Sequence, residues 1–294
     1  AGDWRMSSLI EQAAKRLEQL KKAGVELPEP AAGTPAAPRD EAPPPVVETK
    51  AAATAEPAPQ SRKVDLDLLA IAASGIVTPN APRSAIADEY RIIKRPLISN
   101  ALGKGAAPIA NGNLIMITSA LPGEGKSFTS INLAMSMAAE LDTTVMLVDA
   151  DVARPSILST LGLPPAPGLL DVLVNDSVDL SDVLLKTNID KLTILPSGTR
   201  HERATELLAS DAMARLLEDM ASRYADRIII FDSPPLLLTT EARVLASHMG
   251  QVVVVVKAEE TLQADVRHAL ATIADCPVKL MMLNQARSAK GVGY

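Results

Sequence analysis

After Gly112 the chain alternates between two hydrophobic patterns. Short continuous runs of Ile, Val, Leu and Met, which are typical of strands covered on both faces, are separated by longer segments with helical periodicity. This repetition predicts an α/β fold with a doubly wound, mostly parallel sheet flanked by helices. The predicted strands are Leu114–Thr118, Thr144–Val148, Leu192–Pro196, Arg227–Phe231, Gln251–Val256 and Val278–Leu283. The predicted helices are Ser127–Leu141, Arg203–Tyr224, Glu241–His248 and Thr261–Ala274.

The stretch 64–112 has a helical pattern without strand runs. Residues 64–80 predict a short helix or coil, and residues 84–102 predict a longer helix. Pro96 lies inside the longer helix and predicts either a kink or a boundary near Arg95. We therefore divide this part of the chain into a helical segment at 64–112, a main domain at 113–287 and a flexible tail at 288–294. The predicted apolar face of the longer helix consists of Ile86, Tyr90, Ile93 and Leu97.

The first 63 residues predict a helix followed by a tether. In residues 1–25, Ser8 and Glu11 form a capping box, and a narrow apolar stripe follows at spacings of three and four. This amphipathic helix either docks on its own domain or binds a partner helix. A membrane-surface helix is least favoured because the polar face carries both signs of charge. Residues 26–63 contain nine of the 22 prolines, among many alanines, which predicts an extended Pro/Ala-rich linker.

Composition narrows the class of protein. Hydrophobic residues make up 47% of the chain and aromatic residues 2%, so the core must be aliphatic. The net charge of −6 and the few aromatic side chains argue against a nucleic-acid partner. Cys276 is the single cysteine, which excludes a disulfide within the chain and favours a reducing, cytoplasmic location. No apolar run reaches the roughly 18 residues of a membrane span.

The segment Ala120–Ser127 reads "ALPGEGKS" and fits a P-loop, with alanine in the first glycine position. A predicted strand precedes it and a predicted helix follows it. Gly123 and Gly125 let the backbone wrap closely enough for its amides to face phosphate oxygens. Lys126 adds a positive charge at the β- and γ-phosphates, and the Ser127 hydroxyl is a ligand for Mg²⁺. The candidate nucleotide-binding residues are Ala120, Leu121, Pro122, Gly123, Glu124, Gly125, Lys126, Ser127 and Phe128.

Acidic residues follow two of the other predicted strands. Asp149 and Asp151 follow one strand, and Asp232 follows another. Because open α/β sheets bind ligands beyond the carboxyl ends of their strands, we expect these carboxylates near the P-loop, around Mg²⁺ and a nucleoside triphosphate. The candidate metal-holding residues are Ser127, Asp151 and Asp232, the last through water. The candidate catalytic residues are Lys126, Asp149 and Asp151, with Asp149 favoured as proton acceptor and Asp151 as metal-linked.

Three motifs together resemble the bacterial tyrosine kinases, which use a P-loop for phosphoryl transfer. They are "LPGEGKS", "LVDADVARPS" and "IIIFDSPPLL", in that order. The segments "PGLLDVL" and "ILPSGTRHERATELLAS" are similar to further family segments. The N-terminal "SLIEQAAKRLEQLKKAGVE" resembles one branch, the exosortase-associated autokinases of exopolysaccharide gene clusters.

The resemblance implies an ATP- and Mg²⁺-dependent protein-tyrosine autokinase that regulates exopolysaccharide polymerisation or export. It implies a membrane-embedded activator of the chain-length-determinant type, here a separate chain, and a peripheral position at the inner face of the inner membrane. The implied phosphate acceptor is a C-terminal tyrosine, Tyr294, modified in trans between subunits. Tyr90 and Tyr224 are expected to pack inside the domain.

The resemblance also implies a homo-oligomer, which the family forms as a ring. Its subunit-contact motif falls on Asp88, Arg91 and Lys94, of which only the arginine is identical. Arg154 stands where the family usually has an arginine pair, and either contacts phosphate or tail or forms a structural salt bridge. Asn284 either reads adenine or forms a turn.

The main alternative is a nucleotide-switched ATPase scaffold of the Min or Par type. Those proteins share the fold and carry an extra lysine near the start of the P-loop. Leu121 occupies that position here, which favours the kinase.

Overall fold

The computed structural model describes residues 62–79, 84–105 and 107–286, all within the compact unit Glu56–Tyr294. The strands are β1 (Arg62–Val64), β2 (Leu114–Ser119), β3 (Thr144–Asp149), β4 (Leu185–Thr187), β5 (Leu192–Leu195), β6 (Arg227–Asp232), β7 (Gln251–Lys257) and β8 (Val278–Asn284). The helices are α1 (Leu68–Ala73), α2 (Ala85–Ala101), α3 (Lys126–Ala138), α4 (Ile157–Thr160), α5 (Leu169–Val174), α6 (Leu180–Val183), α7 (Ala204–Leu208), α8 (Asp211–Arg223), α9 (Glu241–Ser247) and α10 (Gln263–Ala271). All six predicted strands are present.

The eight strands form one sheet in the order β1-β4-β5-β3-β6-β2-β7-β8. Every neighbouring pair is parallel except β4 and β5, which are antiparallel. The doubly wound, mostly parallel α/β fold is therefore confirmed. Strands β3, β6 and β2 are adjacent, so their carboxyl ends meet at one edge of the sheet, where such folds bind ligands.

Helices cover both faces of the sheet because side chains alternate between the faces along each strand. In β2, Ile115 and Ile117 pack in a core beneath α1, α2 and α3, whereas Leu114 and Met116 pack in a second core beneath α8, α9 and α10. Nearly all of these buried side chains are aliphatic, as the composition predicts, with Phe231 fully buried among them.

Helix α2 confirms the predicted apolar face and resolves the question about Pro96. The helix continues through Pro96 to Ala101, so the predicted boundary near Arg95 is wrong. Ser84 begins the helix by accepting a hydrogen bond from the amide of Ala87. The predicted face packs in the core beneath the sheet through Ile86, Tyr90, Ile93 and Leu97.

The structure also differs from the sequence reading in several elements. The predicted helix Arg203–Tyr224 is two helices, because Ser210 caps α8 by accepting a hydrogen bond from the amide of Met213. Arg62 and Lys63, which we placed in the linker, begin β1, and β1 and β4 were not predicted because three residues carry too little pattern. The N-terminal helix, the rest of the linker and the tail lie outside the described residues. In the described part of the chain, no helix combines the length and apolarity needed to cross a membrane.

Candidate active site

The loop between β2 and α3 has the backbone shape that its two glycines predict. Gly123 has φ 82° and Gly125 has φ 95°, both in the left-handed region that favours glycine. A Cβ atom on Gly125 would collide with the side-chain amide of Asn284. The loop backbone therefore turns tightly and stays accessible to a ligand at the N-terminus of α3, where the helix dipole favours anions.

The remaining predicted loop residues flank this turn. Ala120 is fully buried beneath the loop, and the Ser119 hydroxyl donates to the Leu121 carbonyl at 2.6 Å. Phe128 is partly buried and packs against the core under α2 and α3. Asn284 donates from Nδ2 to the Glu124 carbonyl at 2.9 Å. Its predicted contact with adenine stays a prediction.

Lys126 and Asp151 face each other at the start of α3. The distance from Lys126 Nζ to Asp151 Oδ2 is 3.8 Å, and about a tenth of each side chain is exposed. Asp151 Oδ1 accepts a hydrogen bond from the amide of Arg154 at 3.2 Å. Burial raises the pKa of Asp151, and the charge of Lys126 partly offsets this effect. The Arg154 side chain is exposed, and its charge acts in the same direction as that of Lys126.

Asp149, at the end of β3, is a buried carboxylate with one free oxygen. Its Oδ2 accepts hydrogen bonds from the amides of Ser156 and Ile157, both at 3.0 Å. Its Oδ1 is buried and has no hydrogen-bond partner in the structure. Burial raises the pKa of Asp149 to about 7, and the negative charge of Asp232 adds to this effect.

Asp232 lies opposite Asp149 in the register of β3 and β6 and is fully buried. Its Oδ1 accepts a hydrogen bond from the Ser130 hydroxyl at 3.0 Å, while its Oδ2 has no partner in the structure. Burial raises the pKa of Asp232 to about 6, which Ser127 and Lys126 partly offset. The motifs did not identify Ser130. Its position one helical turn after Lys126 is the only signal the sequence offers.

The arrangement fits a magnesium–nucleotide site better than a bare metal site. Among the residues that the structure describes, no group of three His, Cys, Asp or Glu side chains is placed to hold a metal ion by itself. Mg²⁺ in nucleotide sites takes only one or two protein ligands, with phosphate oxygens and water completing its shell. The free oxygen of Asp232 and the Ser127 hydroxyl at the start of α3 match that requirement.

A cavity of about 550 Å³ lies beside Asp149. Its walls come mainly from two segments, 155–167 and 197–200, and several of its side chains are apolar. The sequence motifs did not single out these segments as a cavity, because the two meet only in the folded protein. The residues lining the cavity include Asp149, Leu158, Leu163, Pro165, Ala166 and Arg200.

Helix α2 carries the predicted subunit-contact residues, which separate into two groups. Asp88 and Arg91 form an exposed ion pair with each other. Lys94 is buried, pairs with Glu140 at 2.8 Å and donates to the Ser136 carbonyl. Its ammonium is thus engaged inside the subunit.

The two internal tyrosines pack as expected. Tyr90 is 2% exposed, and burial raises its pKa to about 12. Tyr224 packs against the other core and lies under the Arg227 guanidinium, 4.6 Å from the ring centroid.

Comparison with known proteins places this site in a family. The protein-family model described as an AAA domain matches residues 112–284 of this chain. Tyrosine-protein kinase YwqD of Bacillus subtilis is 30% identical over 206 residues, which cover 70% of this chain and 83% of YwqD. Tyrosine-protein kinase CpsD of Streptococcus agalactiae is 36% identical over 49% of this chain and 62% of its own length. By contrast, the chain spans only 22% of the putative tyrosine-protein kinase EpsB of Ralstonia nicotianae.

Two solved structures are also similar to this chain in fold and in sequence. The chimerical protein CapA2B2 superposes with a TM-score of 0.60 at 28% identity, over 76% of this chain and 93% of its own. The VpsO kinase domain superposes with a TM-score of 0.56 at 27% identity, over 69% of this chain and all of its own.

The fold and the loop define a P-loop protein of the AAA-domain class. Within that class, the chain belongs to the bacterial tyrosine-protein kinases. The ATPase-scaffold alternative is not favoured, since the relatives above are kinases. The exosortase-associated branch stays a prediction.

Proposed function

We propose that the protein uses Mg·ATP to phosphorylate Tyr294 of a neighbouring subunit. The observation that carries the proposal is the buried, unpartnered oxygen of Asp149, a residue that also lines the cavity of about 550 Å³. Membership of the tyrosine-protein kinases supports the reaction. Tyr294 itself lies outside the described residues.

The P-loop residues are the proposed binding site for the nucleotide. The phosphates would bind to the amides around Gly123 and Gly125 and to the ammonium of Lys126. The Mg²⁺ ion would be held by Ser127, Asp151 and Asp232. When bound, Mg·ATP supplies the phosphoryl group and the positive charge that offsets its leaving oxygens. The ammonium of Lys126 lies 3.8 Å from Asp151 Oδ2, so the lysine has an acidic neighbour beside the start of α3.

Asp149 is the proposed proton acceptor. A tyrosine hydroxyl has a pKa of about 10, so it is protonated at neutral pH. Because phosphoryl transfer has a loose transition state, the proton can leave late. A carboxylate whose pKa is raised to about 7 suits that task, since a general base works best near the ambient pH. The free Oδ1 of Asp149 is the atom that would take the proton.

The cavity beside Asp149 is the proposed entry for the acceptor side chain. Leu158, Leu163 and Pro165 give it an apolar wall, which suits an aromatic ring. Asp149 lines the same cavity. A ring held against that wall would bring its hydroxyl toward Asp149.

The test is phosphotyrosine labelling of the full chain with Mg·ATP. Tyr294→Phe is expected to lose the label, whereas Tyr224→Phe and Tyr90→Phe keep it because those two tyrosines pack inside the domain. A label that survives Tyr294→Phe would contradict the proposed acceptor. Free phosphate without any labelled protein would instead favour the ATPase scaffold.

Lys126→Met tests the site itself. Removing one preorganised charge from a transition state typically lowers the rate by about a hundredfold to a thousandfold, so the label is expected to fall by that much. The matched control is Lys186→Met, an exposed lysine on β4 that is expected to label like wild type. Circular dichroism establishes that both variants are folded. Unchanged labelling in a folded Lys126→Met protein would rule out this site.

For its biological setting, we propose that the kinase regulates exopolysaccharide polymerisation or export beside a chain-length-determinant type membrane protein. The name of one relative, the succinoglycan biosynthesis transport protein ExoP of Rhizobium meliloti, supports this setting, although the chain spans only 24% of ExoP. The proposed location is peripheral, at the inner face of the inner membrane, with residues 1–25 as the docking element. Membrane recruitment that survives deletion of residues 1–25 would contradict that docking role.

A further inference from the structure

Glu124 is a buried acid in the middle of the phosphate loop. It lies between the two left-handed glycines, yet it is only 3% exposed. A buried carboxylate is costly unless its oxygens accept hydrogen bonds. The side chain therefore has a defined set of partners, and those partners show what it does.

Three contacts fix Glu124 from three parts of the chain. Its Oε2 accepts from the amide of Leu121 at 2.6 Å, which closes the loop on itself. Its Oε1 accepts from the hydroxyl of Thr261, in the turn between β7 and α10. Its own carbonyl accepts from Asn284 Nδ2 at 2.9 Å, at the end of β8.

Thr261 and Asn284, the two partners from outside the loop, are connected to each other through one turn. The Thr261 hydroxyl also accepts from the amide of Lys257 at 3.2 Å, which fixes the turn to the end of β7. The Asn284 carbonyl accepts from the amide of Ala258 at 2.9 Å, which fixes the same turn to β8. Glu124 thus ties the loop to the ends of two paired strands.

The hydrogen bond from Asn284 to the Glu124 carbonyl sets the direction of the Gly125 amide. In a trans peptide, the carbonyl of one residue and the amide of the next point to opposite sides. Because the Glu124 carbonyl points to Asn284, the amide of Gly125 points away from β8. Phosphate binding at a P-loop needs such amides aimed at the anion before it arrives.

We propose that Glu124 is a positioning residue that holds the phosphate loop in its anion-binding shape, by tying it to Thr261 and Asn284. The ligand that this shape serves is the polyphosphate of a nucleotide. This inference rests on the proposed function for the identity of the ligand. The contacts that define the tie do not depend on the transfer reaction.

The first experiment tests, in the nucleotide-free protein, whether the hydrogen bonds of Glu124 hold the loop in place. Hydrogen exchange of the segment 119–125 is expected to be faster in Glu124→Ala than in wild type, because the Leu121 amide loses its partner. Glu124→Gln keeps an acceptor oxygen for that amide and is expected to restore part of the protection. Glu202→Ala removes an exposed acid elsewhere and serves as the control.

The second experiment measures the affinity for Mg·ADP by calorimetry. Because Glu124→Ala removes hydrogen bonds to a charged group, the Kd is expected to rise by about tenfold to a hundredfold. Smaller rises are expected for Glu124→Gln and Thr261→Val. Folded variants that keep the wild-type exchange rate and the wild-type Kd would overturn the proposal. If wild type binds Mg·ADP but never labels Tyr294, the proposed function fails and the role of Glu124 stands.

Discussion

Two acidic side chains dominate the chemistry of this site at the scale of single residues. Asp149 and Asp232 are paired in register on adjacent strands, and both are buried. Each has one oxygen without a hydrogen-bond partner in the structure. Burial raises the pKa of Asp149 to about 7 and that of Asp232 to about 6, and the negative charge of Asp232 adds to the rise at Asp149. Both carboxyl groups therefore hold a proton to a higher pH than ordinary aspartates do.

This proton affinity predicts how stability changes with pH. The pKa of Asp149 is about 7 in the folded protein and 3.8 as an ordinary aspartate. A raised carboxyl pKa leaves stability intact below about pH 4 and reduces it as pH rises towards 7. In EDTA, the melting temperature of Asp149→Asn relative to wild type is therefore expected to increase between pH 4 and pH 8. The exposed Asp142→Asn is the control, and a difference that does not change with pH would contradict the prediction.

At the scale of elements, the contact between α2 and α3 joins the predicted subunit-contact helix to the helix that begins at the phosphate loop. Lys94, on α2, reaches the far end of α3, where its ammonium contacts Glu140 and the Ser136 carbonyl. The Lys94 side chain is 4% exposed and the Glu140 side chain is 29% exposed. The lysine therefore needs its partners, whereas the glutamate can still reach water.

Replacing Lys94 tests this connection. Lys94→Met leaves the Ser136 carbonyl without its donor and is expected to cost about 1–3 kcal/mol of unfolding free energy. At about 2–4 °C per kcal/mol for a domain of this size, the melting temperature falls by several degrees. Arg95→Met is the matched control. Its guanidinium is 3.8 Å from the same Glu140 but 70% exposed, so the change should be small. Equal melting temperatures for the two variants would contradict the predicted contribution of Lys94 to stability.

At the scale of the whole molecule, the exposed face of α2 is the candidate surface for self-association. Asp88 and Arg91 lie on it with Ile92, whose exposure of 74% is high for a large aliphatic residue. A ring-like oligomer would let the tail of one subunit reach the site of another, as transfer in trans requires. Lys94 contributes to this face only through the packing of α2.

A charge reversal on this face tests the oligomer. Arg91→Glu places an acid beside Asp88, and it is expected to weaken subunit association by at least about tenfold. Light scattering after size exclusion measures the mass of the species. Arg215→Glu, an exposed arginine on α8, is the control and is expected to leave the mass unchanged. An Arg91→Glu protein with the wild-type mass would show that subunits meet elsewhere.

The sequence by itself determined six of the eight strands and the phosphate loop, because both depend on residues that are close neighbours along the chain. A continuous hydrophobic run of four residues predicts a buried strand in β2, β3 and β6, and all three strands are buried in the structure. The loop is equally local, since Gly123, Gly125 and Lys126 act through their own backbone and charge. The acidic strand ends followed from one topological rule about parallel sheets.

Only the tertiary structure decided which distant residues meet. The cavity beside Asp149 needs segments 155–167 and 197–200 to come together, and Glu124 needs Thr261 and Asn284 from the other end of the chain. Lys94 has the charge of a surface residue, yet it is buried against Glu140. Such partners depend on strand order and register, which fix separations in space that no local pattern along the chain encodes.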